Sequence, residues 1–173
     1  MTDIEIRFDD IILDLDGMPP LQEEILERAV RQTLTVPVLN SVKEQTLVLQ
    51  SAGCPAAEVE LTLVVTGDEA LQELNRRYLE IDAPTDVLSF PAGEINPENG
   101  AVYLGDIAIS YPRAQAQAAL AGHPVAAEMQ LLVVHGVLHL LGYDHASPGE
   151  KAAMWETQDQ VLEALGSAAR SPR

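Results

Sequence analysis

The feature that most constrains the fold is an apolar segment, residues 125–141, that contains two histidines. His135 and His139 lie four residues apart, so on a helix both imidazoles project from one face, one turn apart. Gly142 follows, and glycine adopts the left-handed conformation that ends a helix without a steric penalty. The chain can then fold back and bring His145 towards the other two imidazoles. We therefore expect a central helix with three histidines near its carboxyl end.

Three imidazoles at one point predict a metal site. Neutral imidazoles on one side of an ion leave a coordination position for water, which distinguishes catalytic zinc sites from closed structural ones. The alternative is that His135 and His139 are hydrogen-bonded structural residues, which is the commoner meaning of this spacing by itself. His145 favours the metal, because three imidazoles converging beside an apolar helix are costly to leave unpaired. Nickel or copper would suit such ligands as well as zinc.

The residue after the first histidine is Gly136. In His-Glu-x-x-His metalloproteases this position holds the glutamate that activates the bound water. Either another group moves the proton here, or the metal alone generates enough hydroxide at neutral pH. Glu128, two turns earlier, is a candidate base or hydrogen-bond acceptor, although an ordinary charge on a helix face is the simpler interpretation. Asp144 is either a group that orients a ligand histidine or an ordinary loop charge.

Hydrophobic patterning elsewhere predicts further strands and helices. Residues 59–66 form the clearest strand, and Asp68 is a suitable N-cap for the helix after it. Within a strand predicted at 101–110, Gly105 marks a bulge or a close approach of two backbones. The other predicted elements are strands at 4–8 and 86–90 and helices at 21–30, 111–121 and 148–165.

The end of the chain carries clear signals for a last helix. Residues 147–150 read Ser-Pro-Gly-Glu, a capping box with proline at the first helical position. Residues 167–173 are expected to be a disordered tail. No repeat or long linker divides the chain, so residues 1–166 are expected to form one domain. The predicted fold class is α+β: a single domain with a mixed sheet of about four strands, packed helices, and a metal site at the end of a central helix.

Charge and cysteine content restrict the partners and the compartment. Ten Lys and Arg against 27 Asp and Glu give a net charge of −17, which is unfavourable for sequence-independent binding of nucleic acid. If the substrate is an RNA, the cations available to a cleft are Arg76, Arg77 and Arg113. Cys54 is the only cysteine, which excludes an internal disulfide and fits a reducing cytosol. No apolar run is long enough to cross a bilayer, so no membrane partner is expected.

Three segments together resemble the YbeY family of bacterial endoribonucleases and rRNA maturation factors. The first is His-Gly-Val-Leu-His-Leu-Leu-Gly-Tyr-Asp-His at residues 135–145. The second, residues 74–91, ends in Asp-Ala-Pro-Thr-Asp-Val-Leu-Ser-Phe-Pro, and the third is Leu-Gly-Asp-Ile-Ala-Ile-Ser at residues 104–110. Their order and spacing agree with the family from about residue 59 to residue 165.

The resemblance implies a zinc-dependent endonuclease that acts on single-stranded RNA in the cytoplasm. It implies maturation of the 3′ end of small-subunit (16S) rRNA and a role in ribosome quality control. RNA and the ribosome or its proteins would be the partners, with no role for DNA. The family's metal ligands fall on His135, His139 and His145, for one zinc ion per chain, and His135 and His139 would also count as catalytic. The nucleophile is either hydroxide or a ribose 2′-OH.

One position departs from the family pattern. Family members generally carry an arginine directly after the tyrosine of the second segment, facing the metal cleft, whereas this chain has Leu79. Leucine cannot clamp a phosphate through two hydrogen bonds as arginine does. Arg76, three residues earlier on the same helical face, is the candidate replacement as a catalytic residue. The alternative is that Arg76 and Arg77 form an ordinary solvated helix face.

Two other functions stay open at this point. The His-x-x-x-His spacing also occurs in metal-dependent peptidases and other hydrolases, although Gly136 removes their usual base. A non-catalytic ribosome-assembly factor with a structural zinc ion is the second, and it is favoured by Leu79 and by the acidic composition.

Overall fold

The structure, a computed structural model, describes residues 3–8, 23–37, 59–95, 97–98 and 101–172. Its strands are β1 (Asp3–Phe8), β2 (Val59–Thr66), β3 (Val87–Ile95) and β4 (Val102–Ser110). They form one four-stranded sheet in the order β1-β2-β4-β3. β2 runs parallel to β1 and to β4, whereas β3 runs antiparallel to β4. The mixed sheet predicted from the sequence is therefore confirmed.

Five helices accompany the sheet in the described part of the chain. They are α1 (Glu23–Thr33), α2 (Asp68–Leu79), α3 (Tyr111–Ala121), α4 (Val125–Leu140) and α5 (Pro148–Leu165). α4 is apolar on nearly every side, and it packs against α1, α3, α5 and the sheet. The α+β fold class is confirmed, and α4 is the central helix expected from the sequence.

Gly105 lies where β3 and β4 approach each other most closely. Its φ is 133°, and a Cβ atom there would lie 2.1 Å from the carbonyl oxygen of Phe90. The register of the two strands shifts between Pro91 and Glu94. The bulge or close approach predicted at Gly105 is therefore confirmed.

Asp68 does not cap α2 as the sequence predicts. Gly67 occupies the N-cap position, and Asp68 is the first residue of the helix. The carboxylate of Asp68 instead accepts a hydrogen bond from the hydroxyl of Ser110 and pairs with Arg113 at 3.3 Å. The prediction failed because a tertiary hydrogen bond from the end of β4 competes for the side chain that a local cap would use.

The capping box predicted for α5 is present. Ser147 Oγ accepts a hydrogen bond from the backbone N–H of Glu150, and the Glu150 carboxylate accepts one from the backbone N–H of Ser147 at 2.9 Å. Two of the unpaired donors at this helix start are thereby satisfied. The cap matters for the site because α5 supplies two side chains that contact the histidines.

Residues 167–172 are not the disordered tail expected from the sequence. Gly166, with a φ of 70°, reverses the chain after α5, and the N–H of Ser167 donates to the carbonyl of Leu162 at 2.9 Å. Beyond it, Ser167, Ala169 and Ser171 are buried in alternation. Their small side chains let the backbone lie close to α5, where hydrogen bonds hold it. Composition gave no sign of this, because small residues contribute little apolar surface.

Two further expectations concerned membrane spans and the single cysteine. No helix in the described ranges combines the length and the apolarity that a membrane span requires. Cys54 lies outside the described residues.

Candidate metal centre

The three predicted histidines lie together at the carboxyl end of α4. His135 and His139 belong to its last turns, and His145 belongs to the loop between α4 and α5. Gly142 has a φ of 90°, in the left-handed region that glycine adopts readily. The chain turns back at this point and carries His145 to the helix, as the sequence predicts.

The ring nitrogens of these histidines converge. One nitrogen from each ring lies within 4.8 Å of the other two, and the Nε2 atoms of His135 and His139 are 3.1 Å apart. Two zinc ligands at about 2.0–2.1 Å in a tetrahedron would be separated by about 3.3 Å. The separation of the His135 and His139 nitrogens is close to this value, and the three residues together could hold one ion from one side.

Burial keeps the two helix histidines neutral at pH 7. It lowers the pKa of His135 from the ordinary 6.5 to about 4, and the neighbouring His139 adds to the lowering. Burial also lowers the pKa of His139, and the proximity of His145 adds to that effect. Because neutral imidazole is the form that binds metals, the enclosure favours the ligand form of both rings.

Gln158 of α5 orients the ring of His135. Its Oε1 lies 3.1 Å from Nδ1 of His135 and can only accept a hydrogen bond, so Nδ1 carries the proton. Nε2 of His135 then keeps a lone pair that points towards His139, as a ligand of a shared metal requires. The sequence alone does not single out Gln158. The available signal was a glutamine on the buried face of α5, between Met154 and Leu162.

Trp155 lies beside the histidines on the α5 side. The centroid of its ring is 5.9 Å from that of His135 and 5.4 Å from that of His145, both in edge-on arrangements. Trp155 belongs to α5 and is half-buried there. Its indole covers the histidines with apolar surface, which contributes to the burial that keeps His135 neutral.

A cleft of about 1060 Å³ opens over the histidines. Its walls come from the end of α2 and the segment after it, from β3, and from α4 with the following loop. Besides the histidines, its lining includes Asn75, Leu79, Ile81, Thr85, Asp86, Ser89, Pro91 and Asp144. Closed structural zinc sites have no comparable space, so a metal here would have a position open to a substrate.

Arg76 does not reach this cleft. Its guanidinium is bound to the carboxylate of Glu73 at 2.7 Å, on a side of α2 where the Arg76 side chain is 56% exposed. α2 instead turns Asn75 and Leu79 towards the cleft. Arg76 and the histidines are therefore not brought together, and a catalytic role for Arg76 stays a prediction.

The two carboxylates considered from the sequence have other partners. Glu128 is buried, its Oε2 lies 3.0 Å from Nε2 of His123, and burial raises its pKa. It is neither a surface charge nor a residue of the cleft lining. Asp144 does line the cleft, but its Oδ1 accepts a hydrogen bond from the backbone N–H of His145 at 2.7 Å. Asp144 thus holds the loop that carries the third histidine.

Known proteins similar to this chain share its fold. The solution structure of TM1509 from Thermotoga maritima matches 94% of this chain and 88% of its own, with a TM-score of 0.51 and 24% sequence identity. That likeness supports the fold alone.

Curated relatives named endoribonuclease YbeY match most of the chain at higher identity. A protein from Dehalococcoides mccartyi is 42% identical over 150 residues, which cover 80% of this chain and 92% of the relative. One from Roseiflexus sp. (strain RS-1) is 43% identical over 164 residues, 89% of this chain and 92% of the relative. The family model described as endoribonuclease YbeY matches residues 21–166. Because these matches span most of the chain, it belongs to the endoribonuclease YbeY family.

Proposed function

We propose that this chain is a zinc-dependent endoribonuclease that cuts single-stranded RNA, with one zinc ion held by His135, His139 and His145. The observation that carries the proposal is the convergence of three imidazole nitrogens within 4.8 Å at the base of an open cleft, in a member of an endoribonuclease family. When bound, zinc supplies positive charge that polarises a phosphoryl oxygen and lowers the pKa of a nearby hydroxyl group.

The walls of the cleft favour RNA with unpaired bases. Leu79 and Ile81 line the cleft and are 53% and 52% exposed, so they offer apolar surface to a base. Tyr78, with the guanidinium of Arg77 5.5 Å from its ring centroid, is exposed next to them. In a duplex the bases are stacked on each other and unavailable to such a surface, whereas single strands expose them.

Negative charge in the cleft makes the metal necessary for phosphate binding. Asp86 and Asp144 both line the cleft, and the whole chain carries a net charge of −17. Without a cation the carboxylates would repel an RNA backbone. We infer that His135, His139 and His145 direct the scissile phosphate by holding the ion, while the apolar wall holds the neighbouring bases.

We propose that the RNA is the 3′ end of small-subunit (16S) rRNA, and that the protein acts on the ribosome in the cytoplasm during maturation and quality control. Membership of the endoribonuclease YbeY family supports this role. An acidic protein is poorly suited to bind RNA indiscriminately, so a ribosomal protein partner would help to recruit it to its site. Sedimentation tests the association: the protein should pellet with small ribosomal subunits, whereas the same concentration of protein without subunits should stay in the supernatant.

A peptidase is less compatible with the helix packing around Gly136. A Cβ atom at this position would lie 2.8 Å from Cγ2 of Ile107, a buried residue of β4, and 3.3 Å from Oγ of Ser89. The position therefore has no room for the glutamate base of a His-Glu-x-x-His enzyme. A non-catalytic assembly factor is the other alternative, and the open cleft argues against a purely structural zinc ion.

Metal content, RNA cleavage and ribosome association test the proposal together. Untagged protein is expected to contain about one zinc ion per chain, which His139→Ala loses, as elemental analysis would show. The control is His123→Ala, which removes the histidine that lies just before α4 and outside the cluster. This variant should keep the metal. The parent protein should cut a single-stranded RNA and leave the matched duplex intact, and His139→Ala should lower the rate by at least a hundredfold.

Two results would overturn the proposal. Absence of zinc from the parent protein would remove the metal site. Zinc without RNA cleavage, combined with ribosome association that survives His139→Ala, would favour the assembly factor instead.

A further inference from the structure

The segment from residue 167 to residue 172, which we call the C-terminal clip, is connected to the metal site through hydrogen bonds. The side-chain amide of Gln158 donates from Nε2 to Oγ of Ser171 at 2.8 Å, while its Oε1 faces Nδ1 of His135. Gln158 is fully buried, and Ser171 is 7% exposed. Two hydrogen bonds, through Gln158, therefore connect His135 to Ser171 of the C-terminal clip.

The clip is held in place independently of Gln158. The indole N–H of Trp155 donates to the carbonyl of Pro172 at 2.8 Å, and the backbone N–H of Ser171 donates to the carboxylate of Asp159 at 2.8 Å. Ala169 lies in the chain between the turn at Gly166 and these two hydrogen bonds, and it is fully buried. These contacts fix the clip against α5, so Ser171 is presented to Gln158 by structure on both sides of it.

Donor and acceptor chemistry then determines the orientation of the amide. The hydroxyl of Ser171 donates its proton to the carbonyl of Trp155 at 3.4 Å, so its lone pairs face Gln158. Gln158 must meet those lone pairs with its NH₂ group, which turns Oε1 towards His135. An acceptor at that point requires the proton of His135 on Nδ1 and leaves Nε2 free. With the amide reversed, the NH₂ group would face Nδ1 and the ring proton would move to Nε2, inside the cluster.

We propose that the C-terminal clip sets the tautomer and the ring orientation of His135 through Ser171 and Gln158, which act as positioning residues for the metal site. The proposal rests on the function proposed above, because its consequence is metal affinity. Groups that orient metal-binding histidines typically change metal affinity by about 10–100-fold when they are removed. We expect the loss of zinc affinity to lie in the upper part of that range for Gln158→Leu and in the lower part for Ser171→Ala.

The direct test is the tautomer of His135 in metal-free protein at pH 7, measured by long-range ¹H–¹⁵N NMR of the ring. The parent protein should show the proton on Nδ1. Ser171→Ala should yield a mixture with the Nε2–H form, because the amide of Gln158 is then free to reverse. Ser171→Thr, which keeps the hydroxyl, should restore the parent spectrum, and far-UV circular dichroism checks that each variant is folded.

Ser167→Ala is the matched control within the clip. Its hydroxyl oxygen accepts a hydrogen bond from the N–H of Ala169 at 3.3 Å, inside the clip itself. Its removal should change neither the tautomer nor the zinc affinity measured by competition with a chromogenic chelator. A second check is Gln158→Glu, whose carboxylate accepts from Nδ1 in either orientation. In that background Ser171→Ala should have no effect on the tautomer.

The outcomes separate this inference from the proposed function. An unchanged tautomer and unchanged zinc affinity in Ser171→Ala would overturn the clip's role, even if the parent protein binds zinc and cuts RNA. A tautomer that responds to Ser171 as expected, in a protein that binds no zinc, would uphold the positioning and overturn the metal site instead.

Discussion

Single residues decide how closely α4 approaches the sheet. Gly136 packs directly against β3 and β4, and the hydroxyl of Ser89 donates to its carbonyl at 3.2 Å. The absence of a side chain at Gly136 has two consequences. It lets the backbone between His135 and His139 lie against the sheet, and it means that residue 136 cannot supply a general base.

Gly136→Ala should destabilise the protein by about 1–3 kcal/mol, the usual effect of overpacking a well-packed core. The added methyl group would meet Cγ2 of Ile107 at 2.8 Å, and Ile107 is fully buried. Chemical denaturation at equilibrium would measure the change. The control is Gly149→Ala in the first turn of α5, where a Cβ atom has nothing within 4 Å. That variant should be neutral or slightly stabilised, and an equal loss in both would contradict the packing argument.

At the scale of elements, α2 presents one face to the cleft and another to solvent. Asn75 and Leu79 are four residues apart and both line the cleft. Asn75 is nearly buried, and its Nδ2 donates to the carbonyl of Ala83 at 2.8 Å, which fixes the segment that follows the helix. Arg76 follows Asn75 by one residue, a rotation of about 100° along a helix, so it leaves the cleft face.

Arg76→Ala should therefore affect RNA binding more than the chemical step. Its exposed guanidinium, paired with Glu73, can attract RNA electrostatically from beside the cleft. We expect KM to rise less than tenfold and kcat to stay within about twofold, in steady-state cleavage assays. Arg31→Ala is the matched control, because Arg31 makes the same kind of exposed pair with Glu27 on α1. A fall in kcat of a hundredfold or more would instead establish Arg76 as a catalytic residue.

The fold of the whole molecule determines the protonation state of the clustered histidines. Gln158 and Trp155 of α5 lie against the ring of His135, which belongs to α4, and burial lowers the pKa of His135 to about 4. Between pH 4 and 6.5 the unfolded chain takes up a proton at this residue and the folded, metal-free chain does not. The free energy of unfolding therefore decreases as the pH falls through this range.

We expect His135 to account for roughly 1–3 kcal/mol of stability lost by the metal-free protein between pH 6.5 and pH 4. Denaturation measured across this range, in the presence of a chelator, gives the total loss. Carboxylates titrate in the same range, so the comparison is with His135→Gln, which keeps a polar side chain but does not titrate. The parent protein should lose more stability on acidification than the variant, and parallel profiles would contradict the buried neutral histidine.

The local pattern of residues determined the described strands and helices and the cluster of three histidines. The spacing of His135 and His139 places both rings on one face of any helix, and Gly142 permits the reversal that returns His145. The capping box before α5 and the close approach at Gly105 were also predictable. The helix spacing, the turn and the cap depend on neighbours within one element or across one turn, whereas the Gly105 contact also depends on the pairing of β3 with β4.

Tertiary structure alone decided which distant groups meet the cluster. Gln158 reaches His135 because α5 packs against α4, and the C-terminal clip acts through Gln158; no local pattern indicates either contact. Glu128 pairs with His123, and Arg76 is turned away from the cleft, although spacing permitted both to approach the three histidines. The physical reason is that sequence spacing fixes the direction of a side chain relative to its own helix axis. The partner it meets in that direction depends on how the helices pack.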